Sequence, residues 1–172
     1  AASDVYKRQM LNAGEKMVAY RFEGYWKDVG TLDSLWDANM DMLTPGSGLN
    51  LLDERWPIHG RTAICPPAYV GEHADVGNSA VARGCEILGA EVSYSVVMPG
   101  AVIEDGARVS YAIVGEGCRV GGKARVGAPP EEAGDPAAWG IAVLGPHTHV
   151  AEREEVPPKT MLDSTHGKEA AQ

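Results

Sequence analysis

The chain has 172 residues, with 15 Lys plus Arg against 24 Asp plus Glu, a net charge of −9. That length fits one domain or one and a half, and the acidic balance excludes a general nucleic-acid binder, which needs a basic face to displace counterions. Hydrophobic residues make up 44% and charged residues 23%. This is a globular balance, with no run near the roughly 20 apolar residues of a membrane span and no visible secretory signal. Three cysteines, an odd number without metal-ligand spacing, fit a reducing, cytoplasmic setting.

Residues 1–9, AASDVYKRQ, do not join smoothly to the residues after them and read as a non-native scar. Lys16–Phe22 alternates in polarity and reads as a strand, and GYWKDVGT comes next at 24–31. A helix is predicted after it. Thr31 is its N-cap, Asp33 lies in the first turn where the helix dipole favours acid, and Leu32, Leu35, Trp36, Met40 and Leu43 fall on one face. Thr44-Pro45-Gly46 stops it. Eight of the eleven aromatic residues lie before residue 70, whereas eleven glycines lie between Gly71 and Gly127. Two architectures therefore share the chain, with residues 46–69 as linker and cap and a boundary near Pro66–Pro67.

From Val70 a repeat runs through Val76, Val81, Ile87, Val92, Val97, Ile103, Val109, Val114, Val120 and Val126, in steps of five or six. Two residues before each member after the first stands a small residue: Ala74, Ser79, Cys85, Ala90, Ser95, Ala101, Ala107, Ala112, Cys118 and Ala124. A helix needs steps of three and four, and a hairpin protein needs alternation with turns every 8–12 residues. A six-residue step fits a coil of short straight sides with cramped corners, whose stacked turns bury a column of Val and Ile. This pattern resembles the hexapeptide repeat of left-handed parallel β-helices. In that family a coil takes about 18 residues, so Val70–Gly127 implies about three coils. The five-residue steps, before Val81, Val92, Val97 and Val114, imply shortened corners. Residues 128–139, APPEEAGDPAAW, read as a projecting loop, and Ile141, Val143, Val150 and Val156 as the return for one more coil, so that the helix spans 70–162. Residues 163–172 read as a frayed polar tail.

The segment GYWKDVGT followed by LDSLWDANMDML and then this repeat resembles bacterial glucose-1-phosphate adenylyltransferases. The resemblance covers about Met10–Leu162. It implies a mainly β fold: a left-handed β-helix preceded by the last strand and helix of an α/β nucleotidyltransferase domain, here residues 10–45. It implies formation of ADP-glucose and pyrophosphate from ATP and glucose 1-phosphate, for glycogen synthesis, with Mg2+ as cofactor. Asp28 is then one of two metal-binding aspartates and catalytic, and Trp26, two residues earlier on the same strand face, lines the sugar-phosphate site. Gly30 allows close backbone approach. The resemblance also implies a cytoplasmic homotetramer assembled through the β-helix and a sugar-phosphate activator.

The Gly-rich G-G-x-G-x-R-L loop of that family, whose amides hold the ATP phosphates, has no counterpart here, so the chain reads as a C-terminal part, inactive alone. Two other readings stand beside this one: a free-standing β-helix module without catalysis, and a hexapeptide acyltransferase. Lys27 reads as a solvated strand residue, Cys85 and Cys118 as core, and His73, His147 and His149 as surface histidines. The Tyr20, Trp26 and Leu32–Leu43 faces are expected to lack their partner sheet and stand exposed.

Overall fold

The computed structural model describes residues 2–47, 58–132 and 139–166. Parts of three predicted segments lie outside the described residues: 48–57 of the linker, 133–138 of the loop and 167–172 of the tail.

From Thr62 the backbone winds as a parallel β-solenoid with three sheets, one of seven strands and two of five. The β-helix predicted from the repeat is formed, with about six turns rather than the three plus one expected, since the coil begins at Thr62 and its turns are mostly shorter than 18 residues. Its first strand, Thr62–Ile64, precedes Val70, and Ile58–His59 pairs antiparallel on its outer edge. Equivalent residues recur at 16 to 18 positions along most of the coil, as in Ala63–Ala80–Val96–Ile113 and Val143–Met161. Across the predicted loop Val126 pairs with Val156, so one coil absorbs the extra residues without shifting register.

The repeat predicts the interior residue by residue. Val81, Ile87, Val92, Val97, Ile103, Val109, Val114, Val120 and Val126 are all buried to 1% exposure or less. Of the small residues before them, all but Ala74 are fully enclosed. Cys85 and Cys118 take such positions as expected. Their thiols donate to the carbonyls of Met98 at 3.1 Å and Gly145 at 3.0 Å, and burial raises both above the ordinary thiol range. In the return coil Leu144 and Ala142 face inward, whereas Ile141 and Val143 belong to a second apolar cluster on the outside.

Three of the shortened corners turn through the left-handed backbone region at Asn78, Tyr94 and Tyr111, with φ of 50°, 46° and 49°. Asn adopts that region readily; a tyrosine does so only when its surroundings hold it there. Here the rings of Tyr94 and Tyr111 stack at 4.8 Å, Trp139 meets Tyr111 edge-on at 5.5 Å, and Trp36 lies 5.8 Å away. Ser79 and Ser95 fill the inner corner. Each hydroxyl donates to a carbonyl two residues back, Gly77 or Ser93 at 2.8 Å, and accepts an amide of the next coil, Ser95 or Ala112.

Before the solenoid lie two helices, α1 (Ala2–Asn12) and α2 (Leu32–Leu43). The α1 helix crosses the boundary expected between residues 9 and 10. The α2 bounds are those predicted, and its Thr31 cap is present. Its hydroxyl accepts the Ser34 amide at 3.2 Å while the Ser34 hydroxyl accepts the Thr31 amide at 3.0 Å. Contrary to expectation, most of the apolar face of α2 is covered, although Leu32 at its start stays exposed. Met40 and Leu43 are buried against Ala80, Val96, Ile113 and Val143 on the outer face of the seven-stranded sheet, and the Trp36 indole N–H donates to the Tyr94 carbonyl at 2.7 Å. Also contrary to expectation, Lys16–Phe22 forms no strand. A lone strand has no ladder to join, and its residues Met17, Val18, Tyr20 and Phe22 are exposed.

Candidate functional site

The segment 24–31 runs from a bend at Gly24 into the cap of α2 without pairing to any described strand. Its side chains divide into two sets. One side carries Tyr25 and Lys27, which turn toward α2. The Lys27 ammonium lies 2.6 Å from Asp41 Oδ2 and 3.5 Å from Asp37 Oδ2, and the Tyr25 hydroxyl donates to Asp41 Oδ2 at 3.0 Å. The other side carries Trp26, which is 76% exposed, and Asp28, which is also exposed.

Contrary to the expectation of a solvated residue, Lys27 is three-quarters buried at its side chain. The reason is local. Asp37 and Asp41 are four apart and so share one face of α2, and the segment that enters the helix cap brings Lys27 and Tyr25 back to that face. The charges tune one another. The Asp41 carboxyl is held below its ordinary value, first by the Lys27 hydrogen bond. Lys27 is raised by the same bond, and the Tyr25 phenol is raised by desolvation and by Asp41.

Asp28 and Trp26, the two predicted site residues, thus share a side and both face solvent. No described atom lies within 4 Å of where a Cβ on Gly30 would stand, so the expected close approach is not to this chain. Neither Asp28 nor Trp26 lines the groove of about 1180 Å³ between the first turn of α2 and the last coils, where Leu32, Leu35, Val143, Met161 and His166 meet. Among the described residues no three His, Cys, Asp or Glu side chains come together to hold a metal. Divalent cation chemistry at a phosphate needs carboxylates together with phosphate oxygens, and these residues alone do not supply that donor set.

His73 and His149 are exposed, as expected, and His147 takes a left-handed corner at φ 58°. The described part of the tail, residues 163–166, makes hydrogen bonds. His166 Nε2 meets Glu154 Oε1 at 2.5 Å, and Asp163 Oδ1 accepts the Thr165 amide at 2.8 Å. No described helix is long and apolar enough to cross a membrane.

The fold defines a class: a β-solenoid preceded by a short helical segment that packs on its seven-stranded sheet. Residues 58–166, more than half of the chain, match the family described as GMPPB C-terminal domain, and the chain belongs to that family. Residues 3–44 match the nucleotidyl transferase family; that span begins within the nine residues read as a scar. Among curated relatives, the chain is 45% identical over 112 residues to a glucose-1-phosphate adenylyltransferase of Bacillus mycoides, covering 65% of this chain and 30% of that protein. It is 50% identical over 94 residues to the enzyme of the same name from Clostridium beijerinckii, covering 55% of this chain and 24% of that protein. The chain therefore spans less than a third of the length of these relatives. Among solved structures, a GDP-perosamine N-acetyltransferase from Caulobacter crescentus aligns over 61% of this chain and 54% of its own, at 20% identity and a TM-score of 0.33.

Proposed function

We propose that this chain is the C-terminal part of a glucose-1-phosphate adenylyltransferase. The observation that carries the reading is the order of its parts: GYWKDVGT, a capped helix, then a β-solenoid, in a chain 45% identical over 112 residues to an enzyme of that name. In this reading the complete enzyme joins ATP and glucose 1-phosphate into ADP-glucose and pyrophosphate, in the cytoplasm, for glycogen synthesis. A sugar-phosphate oxygen attacks the α-phosphate in line. Asp28 contributes one carboxylate for the magnesium ion that neutralises the developing charge, and Trp26 packs against the sugar phosphate. The β-helix serves assembly into a homotetramer and response to a sugar-phosphate activator.

Two assays test this. The purified chain, given ATP, glucose 1-phosphate and Mg2+, is expected to form no ADP-glucose. Joined to the remaining part of a nucleotidyltransferase domain it is expected to form it, and Asp28→Asn in that complete enzyme is expected to lower the rate by about 100-fold or more. ADP-glucose from the chain alone, or a complete enzyme indifferent to Asp28→Asn, overturns the reading.

A further inference from the structure

We propose that Lys27 is a positioning residue: its ion pair with Asp41, shared by the Tyr25 hydroxyl, clamps the segment bearing Trp26 and Asp28 onto α2, so that the β-helix fixes where Asp28 stands. The catalytic meaning of this clamp rests on the reading of Asp28 given above; the clamp itself rests on geometry.

The chain of contacts is continuous. Lys27 Nζ lies 2.6 Å from Asp41 Oδ2, with Asp37 at 3.5 Å as a second anchor, and Tyr25 donates to the same Asp41 oxygen at 3.0 Å. Two side chains, one position either side of Trp26, therefore converge on a single carboxylate. Asp41 sits between Met40 and Leu43, the two buried residues of α2, and Trp36 of the same helix is hydrogen-bonded to the Tyr94 carbonyl of the solenoid at 2.7 Å. The backbone of 16–30 makes no hydrogen bond with the described residues. Between residue 16 and the Thr31 cap, the side chains of Tyr25 and Lys27 are thus what the described structure offers to hold the segment. With Tyr25 and Lys27 held against α2, their neighbours Trp26 and Asp28 stand exposed on the other side. Lys27 faces Asp37 and Asp41 of α2, away from the exposed side that carries Asp28. It sets the orientation of its neighbours, and a small misplacement of a reacting group lowers rates steeply.

The test compares the 172-residue chain with Asp41→Asn, Lys27→Gln, and the exchange of Lys27→Asp with Asp41→Lys. Backbone order parameters are read by NMR. Residues 25–28 are expected near the rigid value of about 0.85 in the parent and below about 0.6 in each single variant, with recovery in the exchange. The solenoid residues serve as reference and are expected to stay rigid throughout. Values for 25–28 that are equally low in the parent, or unchanged in the single variants, overturn the clamp. A second arm uses the complete enzyme. Lys27→Gln is expected to lower kcat about tenfold or more and to raise the Mg2+ concentration for half-activity, with restoration by Lys27→Arg. Activity that Lys27→Gln leaves unchanged while Asp28→Asn abolishes it overturns the positioning role. Activity that Asp28→Asn leaves unchanged overturns instead the reading of Asp28, and the order parameters still decide the clamp.

Discussion

Two stretches of this chain face the same demand, to satisfy backbone outside any helix, and meet it differently. Between residues 62 and 162 each side of the coil bonds to the side one turn away: the Gly71 amide to the Ile87 carbonyl at 2.8 Å, the Leu88 amide to Ile103 at 3.0 Å, the Glu104 amide to Val120 at 3.0 Å. Between residues 16 and 30 the backbone bonds to none of the described residues, and Val18, Tyr20 and Trp26 are 82%, 89% and 76% exposed. The solenoid finds its partner strand 16 to 18 residues along its own sequence. A strand of an α/β domain finds its partners in distant parts of the chain. A repeat fold can therefore stand in a short sequence, whereas the strand that precedes it cannot.

The comparison is sharpened first by its interior. Ile103→Ala is expected to lower stability by about 2–5 kcal/mol, because a fully enclosed side chain leaves a cavity. Tyr20→Ala is expected to stay within about 0.5 kcal/mol; thermal or denaturant melts give both. Next comes the corner at Gly127, whose φ is +68° and where a Cβ would stand 2.1 Å from the Ser110 carbonyl oxygen. Gly127→Ala is expected to cost at least about 1–3 kcal/mol. Gly30→Ala, where a Cβ meets no described atom within 4 Å, is expected to be close to neutral in the same melts.

A smaller effect lies at the junction of the two regions. Trp36→Phe keeps the ring but loses the donor to the Tyr94 carbonyl, and is expected to cost about 0.5–1.5 kcal/mol. Smaller still are the responses to pH. Burial raises the Cys85 and Cys118 thiols above their ordinary 9.0. Their contribution is complete below that value and is lost as pH rises above it, because the unfolded chain then binds fewer protons than the folded one. Stability of the Cys85→Ala, Cys118→Ala double variant is expected to fall less steeply from pH 8 to 10. Asp41 shows the opposite sign. Its lowered carboxyl supports the Lys27 pair above the ordinary carboxylate range, and that support is lost as pH falls through its folded value. Tyr25–Asp28 is then expected to loosen in acid while the solenoid reference signals hold.

Much of the fold is legible in the sequence because the repeat states its geometry locally. A small residue two places before each β-branched one marks the corner, and the structure encloses nearly every such pair. Thr31 and Ser34 likewise signal the start of α2 within four residues. The placement of α2 has a subtler signal. The strands of the seven-stranded sheet carry paired apolar residues, Val96-Val97, Ile113-Val114 and Val143-Leu144, where most strands of the other two sheets pair a charged residue with an apolar one, as in Glu86-Ile87, Arg119-Val120 and Arg125-Val126, Val102-Ile103 being an exception. A sheet apolar on both faces needs a cover, and α2 supplies it. The same pairing explains why Leu144 rather than Val143 points inward. The burial of Lys27 is not legible, for a different reason. Its partners Asp37 and Asp41 lie on a helix whose path back along the segment is set by the cap at Thr31 and by packing on the solenoid. Lys16–Phe22 has the alternation of a strand, but alternation names a face and not a partner.

The most direct measurement is amide hydrogen exchange across the whole chain. Amides of the coils between 62 and 162 are expected to exchange only through global unfolding. Those of 16–30 are expected to exchange at nearly unprotected rates. Equal protection in the two stretches would contradict the account, since it would mean that 16–30 has found a ladder of its own.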